Sequence, residues 1–419
     1  MRRKLHGVAA EVLARLDVLA ALTVEPGGTG QPLRAAERAR AKTLVGGWMR
    51  DAGMVVRSDP AGNLIGRHEG EREGAPALLL GSRLETSVDS GRFDGPLGAL
   101  AGIAVAHSLA RAELRLPFAL EVAAFADEAG VRFAADPVGT LVAGREPPAA
   151  RAVPSGAIPF PRLAQPASRP TFPKLLAYVE LRAEQGPVLD AEGLPLGVGT
   201  AVAGQTRLGV TVEGQAGHAG AVPMELRRDA LAAAAEMVLL VERRCAEEGL
   251  VGTVGRLAVE PEAPDAIPGT CRFHVDVRAA DDALRDLALD DIREGFAEIA
   301  RRRRLACWVE EVRRAPAVRC DAAVRLRLAA ALAEEGLSVR ELASGAGRDA
   351  MAMAALCPAG TLLVRCHGAA RRPGEWVTVE DCETALRVLE RVVRDFRAEE
   401  EVPAARPRAA FRDLARVPA

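Results

Sequence analysis

The chain has 419 residues, a hydrophobic content of 49% and a formal net charge of -2. This length exceeds what one hydrophobic core usually serves, so two or three domains are expected. The near-neutral charge excludes a nucleic-acid binder held by bulk charge, and the absence of a run of about 18 apolar residues argues against a membrane protein. The seven cysteines lack paired spacing, which favours a reducing, cytoplasmic compartment over a disulfide framework.

The first half of the chain alternates short apolar runs with longer helical patterns: ALLLGSRLE, LGALAGIAVAHSLARAEL, FALEVAAFADEAG and KLLAYVELRAEQG. Strands separated by helices predict an α/β fold with a mostly parallel sheet. Polar residues follow directly on each apolar run, so they are expected at the carboxyl ends of the strands. Open α/β sheets place their ligand sites at that edge.

From about Thr206 the pattern becomes strand, helix, strand, strand, helix, strand, with one helix expected from about Met224 and another from about Asp281. This order is that of a ferredoxin-like α+β domain. We therefore predict an α/β domain over residues 1–205 and 322–395, an inserted ferredoxin-like domain over 206–321, and a loosely held tail over 396–419.

Charged residues gather at four predicted strand ends, which makes this edge a candidate for catalysis because neighbouring charges shift each other's pKa. A salt-bridged rim without chemistry is the competing interpretation. The residues are Arg83, Glu85 and Asp94; Asp127 and Glu128; Arg182 and Glu184; and Arg365, Cys366, His367, Arg371 and Arg372.

Three further features could bind a ligand. His218 lies in the glycine-rich stretch GQAGHAG, where small neighbours leave an imidazole accessible, although a surface histidine without a role is the alternative. Arg278 ends the strand HVDVRA and could bind a carboxylate through two parallel hydrogen bonds. In SGAGRDAM, small residues up to Gly347 precede a helix, so backbone N–H groups could hold an anion.

Taken together, these residues resemble the zinc-dependent amidohydrolases that include N-carbamoyl-L-amino-acid hydrolase, allantoate amidohydrolase and β-ureidopropionase, within the aminoacylase and carboxypeptidase superfamily. The resemblance runs from about residue 5 to 395 and rests on these motifs in order: GRFDGPLGALAG, FADEAGVRF, ELRAEQGPVL, VEGQAGHAG, DAIPG with DVRA, and SGAGRDAM. It implies a zinc-peptidase type of α/β domain and an inserted domain that forms a homodimer.

The family holds two zinc or manganese ions with histidines and carboxylates, and this chain departs from that ligand set. By resemblance only the bridging aspartate, Asp94, is kept. The other ligand positions fall on Arg83, Ala129, Arg182 and Arg371, and the histidine of the family's SGAGHDA motif falls on Arg348. A protonated guanidinium offers no lone pair to zinc, so no metal is expected.

Other functional positions of the family are mostly kept. Glu128 matches the general base, His218 the histidine that reaches across the dimer to the reacting carbonyl, and Arg278 the group that binds the substrate carboxylate. Gln205 is a further expected substrate contact. Asp265 replaces a substrate-binding asparagine, and its charge would repel an acidic substrate. Arg83, Arg182, Arg348 and Arg371 are expected to contact an anionic ligand together with the backbone of Gly347.

Three functions remain open from the sequence. The first is a pseudoenzyme that has lost the zinc site, binds an anionic or amide ligand and could associate with an active relative. The second is a metal-independent enzyme acting on C–N bonds with Glu128 and His218 as base and acid, or with Cys366 as a nucleophile beside His367, although a buried inert cysteine is the simpler interpretation. The third is the family's own hydrolysis of amide, carbamoyl or ureido compounds. Neither nucleic acid nor membrane is an expected partner.

Overall fold

The computed structural model of the chain describes residues 2–22, 35–59, 62–84, 95–126, 174–345, 347–368 and 375–397, without the side chains of residues 2–6, 35 and 348. The described residues divide into two compact units. The first comprises Met1–Thr200, Cys320–Leu342 and Gly347–Ala419, and the second comprises Ala201–Arg319 and Ala343–Ala346, each as far as it is described.

Helices and strands are interspersed along the described chain. The helices are α1 (Arg2–Ala20), α2 (Ala35–Asp51), α3 (Leu97–Arg111), α4 (Val188–Ala191), α5 (Ala230–Cys245), α6 (Asp282–Arg303), α7 (Ala322–Glu334), α8 (Arg348–Met353) and α9 (Val379–Asp395). The strands are β1 (Val55–Ser58), β2 (Leu64–His68), β3 (Ala77–Arg83), β4 (Ala119–Phe125), β5 (Leu175–Ala183), β6 (Leu196–Val202), β7 (Gly204–Glu213), β8 (Gly217–His218), β9 (Leu250–Glu260), β10 (Ala266–Ile267), β11 (Thr270–Ala279), β12 (Ala306–Ala315), β13 (Val318–Arg319), β14 (Glu341–Ser344) and β15 (Ala359–Val364).

The large sheet has the strand order β1-β2-β4-β3-β5-β15-β6-β13, with β14 also paired to β6. Its four central strands, β4, β3, β5 and β15, run parallel, whereas β1, β2, β6 and β13 pair antiparallel at the margins. The predicted α/β fold with a mostly parallel sheet is confirmed. Every residue of β3, β4 and β15 is buried, as expected for parallel strands covered on both faces.

Helix α3 packs closely on the central strands because its sequence is rich in small residues. A Cβ atom at Gly98 would lie 2.5 Å from the carbonyl oxygen of Leu181, and one at Gly102 would lie 3.0 Å from the side chain of Val122. The stretch GPLGALAG that precedes and begins this helix therefore serves the close approach of helix and sheet. The predicted ligand edge of the sheet is held in place by this packing.

The second unit contains a four-stranded antiparallel sheet in the order β12-β7-β11-β9, with the elements in the sequence β7, α5, β9, β11, α6, β12. Alternate residues of β7 and β11 are buried, which places one face of the sheet against α5 and α6. The first helix begins at Ala230 rather than near Met224, because Asp229 caps it by accepting a hydrogen bond from the backbone N–H of Ala232 at 2.9 Å.

The C-terminal part of the described chain is anchored in the first unit. Phe396 is 5% exposed, and its ring meets that of Phe118 edge-on with centroids 5.5 Å apart. The predicted tail begins at this residue, and its remainder from residue 398 lies outside the described residues. None of the helices in the described ranges is long and apolar enough to cross a bilayer.

Candidate ligand site

The carboxyl ends of β4, β3, β5 and β15 lie along one edge of the large sheet because these strands are parallel and adjacent. Arg83 is the last residue of β3 and pairs with Phe125, and Arg182 is the penultimate residue of β5 and pairs with Leu363 of β15. The last register pair between β3 and β5 lies three residues before each arginine. The two guanidinium groups therefore leave corresponding positions of neighbouring strands.

Both arginines are buried. Arg83 is 9% exposed and Arg182 is 5% exposed, and Nη1 of Arg182 lies 3.5 Å from Oε1 of Glu180, which is 3% exposed. A guanidinium remains cationic at physiological pH, so this strand edge carries fixed positive charge. Burial makes that charge expensive unless carboxylates or a ligand anion lie beside it.

A second buried carboxylate, Asp349, lies in the first turn of α8, and its charge acts on Tyr178. The hydroxyl of Tyr178 donates a hydrogen bond to the carbonyl oxygen of Gly81 at 2.9 Å. Burial, followed by the charges of Glu180 and Asp349, raises the pKa of Tyr178 well above its ordinary value. The phenol therefore stays protonated and acts as a hydrogen-bond donor. Glu180 and Asp349 are not identified from the sequence, although Glu180 lies two residues before Arg182 and Asp349 directly follows Arg348.

Glu184 belongs to the predicted strand-end cluster but has a structural role. Its carboxylate accepts hydrogen bonds from the backbone N–H groups of Val188 at 3.0 Å and Leu189 at 2.8 Å, and so caps α4. Burial raises the pKa of Glu184 despite these hydrogen bonds. The stretch EQGPVLD thus fixes the turn that follows β5.

The end of β15 holds a compact polar cluster. Arg365 donates two hydrogen bonds of 2.9 Å to the carboxylate of Asp381. His367 pairs through Nδ1 with Asp190 at 2.8 Å and stacks on Trp376. These contacts give the side chains of Arg365 and His367 a structural role.

Cys366 does not fit the role of nucleophile that we considered for it. Its side chain is 5% exposed, and burial raises the pKa of its thiol to about 12. The His367 ring is engaged by Asp190 and Trp376, and the sulfur of Cys366 lies 3.9 Å from the backbone carbonyl of His367. The thiolate needed for nucleophilic attack is therefore scarce at neutral pH.

In the second unit, His218 is exposed on the short strand β8, which pairs with β10 so that His218 faces Ala266. The backbone N–H of Gly220 donates to Nδ1 of His218 at 3.0 Å, so the neutral imidazole carries its hydrogen on Nε2. Asp265 precedes β10, its carboxylate is exposed, and its backbone carbonyl accepts a hydrogen bond from Ala219 at 2.9 Å. His218 therefore lies in the small two-stranded sheet of β8 and β10, and Asp265 directly precedes that sheet's second strand.

Arg278 is held by a neighbour that we had not identified. Nε of Arg278 donates to Oδ1 of Asp276 at 2.7 Å, and Nη1 donates to the backbone carbonyl of Gly345 at 2.8 Å. Gln205 faces Arg278 across the sheet and donates from its amide to Asp276, which also accepts a hydrogen bond from Arg207 at 3.1 Å. The sequence DVR could have indicated the contact between Asp276 and Arg278, because residues two apart in a strand share a face of the sheet.

Three side chains donate hydrogen bonds to the carboxylate of Asp276, and two of them are positively charged. Burial by itself would raise the pKa of this group, but the contacts with Arg278, followed by those with Gln205 and Arg207, outweigh burial and hold the pKa below its ordinary value. Asp276 is therefore ionised at neutral pH and binds the three side chains as acceptor only.

Gly347 precedes α8 with a φ of 153°, a backbone conformation that favours glycine. The helix that follows has only six residues, so its dipole adds little to an anion site. Of the remaining predicted site residues, Glu85, Asp94, Asp127, Glu128, Ala129, Arg371 and Arg372 lie outside the described residues, as does the side chain of Arg348.

The described strand ends do not fit a metal ion. Arg83 and Arg182 lie at the ends of β3 and β5. Their guanidinium groups are positively charged and have no lone pair, so they repel a metal cation and cannot coordinate it. Across the described ranges, no group of three or more His, Cys, Asp or Glu side chains is arranged to hold a metal. The misfit thus rests on the chemistry of the two arginines.

Comparison with known proteins agrees with this architecture. The family model described as peptidase family M20/M25/M40 matches residues 79–395. The N-carbamoyl-L-amino acid amidohydrolase of Geobacillus stearothermophilus is 38% identical over 87% of this chain and 92% of its own length. The allantoate deiminase of Arabidopsis thaliana is 36% identical over 91% of this chain and 81% of its own length.

Among solved structures, an amidase of the hydantoinase/carbamoylase family from Burkholderia multivorans superposes with a TM-score of 0.81. It is 30% identical, and the match covers 92% of this chain and 96% of the amidase. The resemblance inferred from the motifs is therefore confirmed at the level of family and fold. This chain belongs to peptidase family M20/M25/M40 and is related within it to the N-carbamoyl-L-amino acid amidohydrolases and allantoate deiminases.

Proposed function

We propose that this member of the hydrolase family binds a small anionic or amide ligand at the arginine-bearing strand edge and has lost the metal-dependent hydrolysis. The observation that carries the proposal is the burial of Arg83 and Arg182 at the ends of two adjacent parallel strands. Two relatives are named for N-carbamoyl-L-amino acids and for allantoate, which supports a carbamoyl or ureido acid as the ligand class in this proposal.

The charge of the two guanidinium groups supports this proposal. Two metal ions would bring four positive charges to a cluster of carboxylates, and here the arginines supply the positive charge instead. Arg182 already lies beside Glu180, and Arg83 stands on the next strand. Such groups bind carboxylate oxygens through paired hydrogen bonds, which a ligand acid or carbonyl oxygen can accept.

Loss of the metal would remove the chemical step. A bound zinc ion lowers the pKa of its water from 15.7 to about 7, and a lone carboxylate such as Glu128 does not. In this proposal Glu128, His218, Gln205, Asp265, Gly347, Arg278, Arg348 and Arg371 contribute to ligand binding. We also propose that the second unit forms a homodimer. A further part of the proposal is that the protein associates with an active relative and regulates it when the ligand is bound.

Retained hydrolysis is the second candidate, and the identity to named hydrolases over most of both chains favours it. The arrangement of His218 is compatible with it, because Nε2 carries the hydrogen that could polarise a carbonyl. This candidate requires that a metal ion be held by other donors or that Glu128 act without one.

The decisive experiment measures bound metal by elemental analysis of the purified protein together with hydrolysis of N-carbamoyl amino acids. Our proposal predicts less than one transition-metal ion per chain and no turnover. It also predicts that small carboxylates or ureido compounds raise the unfolding temperature and that Arg182→Ala abolishes this rise. Arg72→Ala, a change at an exposed arginine of the same unit, is the matched control. About two metal ions per chain with turnover would establish the second candidate instead.

A further inference from the structure

Three side chains of β5 lie in a row on one face of the strand, because residues two apart in a strand point to the same side. They are Tyr178, Glu180 and Arg182, of which the last is the arginine proposed to bind the ligand. All three are buried, with exposed fractions of 0%, 3% and 5% in that order. The carboxylate of Glu180 is therefore built into the sheet next to the strand edge, where water screens its charge only weakly.

The carboxylate of Glu180 is in contact with the guanidinium of Arg182. Oε1 of Glu180 lies 3.5 Å from Nη1 of Arg182. On the neighbouring strand β15, the uncharged residues Thr361 and Leu363 pair with Glu180 and Arg182. A buried cation needs a counter-charge, so Glu180 stabilises the guanidinium whether or not a ligand is bound.

A second carboxylate belongs to the surroundings of this pair. Burial has the largest effect on the pKa of Tyr178 and raises it, the charges of Glu180 and Asp349 raise it further, and the charge of Arg182 lowers it. Asp349 is itself 3% exposed. Two negative charges and one positive charge thus act on the same buried phenol. The positive charge of Arg182 is therefore already balanced before a ligand binds.

A ligand group that binds beside Arg182 is subject to this balance. A carboxylate there would bring a further negative charge close to Glu180, and it would have to leave water to do so. Both effects are costly in a buried site, where like charges repel strongly. The carbonyl oxygen of an amide or ureido group can accept hydrogen bonds from a guanidinium without adding charge. The buried pair therefore favours a neutral acceptor.

We propose that Arg182 binds the neutral carbonyl of an amide or ureido group rather than a carboxylate, and that Glu180 determines this preference. The inference rests on the proposed function, in which Arg182 contacts the ligand, and it assigns a chemical class to the ligand group at that residue. Glu180 acts through the charge of Arg182 and does not have to touch the ligand. It is thus a specificity-determining residue that lies beneath the contact.

The test compares succinamate with succinate, which differ in that one carboxylate of succinate is replaced by a neutral amide of nearly the same shape. Isothermal titration calorimetry of the purified protein at neutral pH gives the ratio of the two affinities, and elemental analysis of the same sample gives its metal content. We expect the unsubstituted protein to bind succinamate at least about 10-fold more tightly. A preference for succinate, equal binding of the two probes, or binding of neither would overturn the assignment of a neutral group.

Glu180→Gln removes the negative charge but keeps the size of the side chain and one acceptor oxygen. It should raise the affinity for succinate by about 10-fold and leave the affinity for succinamate within about 2-fold, so that the preference falls by about 10-fold. An unchanged ratio would refute the role of Glu180.

Glu180→Asp tests charge against shape, because it keeps the negative charge and shortens the side chain. It should retain the preference for succinamate, and it also tests the inference if the glutamine variant does not fold. Loss of the preference in a folded Glu180→Asp variant would show that the shape of the side chain, and not its charge, is responsible.

Glu121→Gln is the matched control, because Glu121 is a buried carboxylate of the same sheet that is also paired with arginines. Its Oε1 accepts hydrogen bonds from Arg57 at 3.1 Å and from Arg67 at 3.2 Å. It lies on β4 well before Phe125, which pairs with Arg83 at the strand edge. This variant should keep the ratio of the unsubstituted protein. A change as large as that in Glu180→Gln would overturn the assignment to Glu180.

Failure of the proposed function would be a different result. It would appear as bound metal ions in the same sample, together with hydrolysis of N-carbamoyl amino acids. The ratio of the two probes and its response to Glu180→Gln would still decide whether Glu180 sets the preference, because both are measured by binding and not by turnover.

Discussion

His367 and Trp376 are joined both through their side chains and through their backbones. Their rings stack with centroids 4.4 Å apart and planes inclined by 23°, and each backbone N–H donates to the carbonyl of the other at 2.8 and 3.0 Å. The imidazole also pairs with Asp190 at 2.8 Å. The two ends of the segment that includes Arg371 are therefore tied together at its base.

Removing the indole should loosen this base. Trp376→Ala is expected to lower the free energy of unfolding by about 1 to 2 kcal/mol, because the stacking and part of the buried area are lost. Trp376→Phe should retain most of the stability. Denaturant unfolding followed by circular dichroism measures the effect. Trp308→Ala, at another half-exposed tryptophan, is the control, and an equal loss there would show that the His367 contact contributes nothing specific.

Arg285 is expected to be a main polar determinant of stability in the second unit. Its side chain is 2% exposed, and it donates to Asp282 at 2.6 Å, to Asp286 at 3.0 Å and to the carbonyl of Ala315 at 3.0 Å. Arg285→Met should lower the free energy of unfolding by about 2 to 4 kcal/mol, since it leaves a partly buried carbonyl and two carboxylates without this donor.

The control for this prediction is Arg293→Met on the same helix. Arg293 is 36% exposed and pairs with Asp290 at 3.1 Å, so its loss should cost less than about 1 kcal/mol. Urea unfolding of both variants gives the comparison. Equal effects of the two changes would mean that burial of Arg285 adds no stability.

Stability should fall on mild acidification because of His68. This histidine is 6% exposed, and burial lowers the pKa of its imidazole below the ordinary value of 6.5. Between the lower pKa of the folded chain and 6.5, the unfolded chain binds a proton at His68 that the folded chain does not bind. The free energy of unfolding is therefore highest above pH 6.5 and decreases as the pH falls from 6.5 towards the folded pKa.

The test is to measure the free energy of unfolding between about pH 8 and pH 5 for the unsubstituted protein and for His68→Gln. The variant should show a shallower decline over this range, whatever its stability at neutral pH. An unchanged slope would show that protonation of His68 is not the cause.

The substituted ligand set can be tested by restoring it. The combined variant Arg83→His, Ala129→Glu, Arg182→His and Arg371→His returns the family's donor types to these positions. If the scaffold is retained, it should take up zinc, measured by elemental analysis, and gain hydrolysis of N-carbamoyl amino acids. A folded variant that takes up no metal would show that more than the ligands has changed. The single variant Arg72→Ala, tested for metal in parallel, is expected to bind none.

The local patterns of the chain were enough to predict both folds. Uninterrupted apolar runs such as ALLLGSR become fully buried parallel strands, because both faces are covered, and alternation in β7 and β11 gives a sheet with one covered face. The motifs likewise identified the family, since their residues and order are specified locally. The replacement of the family's metal-ligand types by Arg83 and Arg182 was also visible in the sequence, because a guanidinium is cationic and lacks a lone pair in any environment.

Only the tertiary structure decided which charged groups meet. Cys366 was a possible nucleophile in sequence, but its burial raises its thiol pKa to about 12. Glu184 was a site candidate until its hydrogen bonds to Val188 and Leu189 identified it as a cap. Asp276 and Arg207 come together through the pairing of β7 with β11, between residues distant in the chain. Such contacts depend on strand register and burial, which local sequence patterns do not specify.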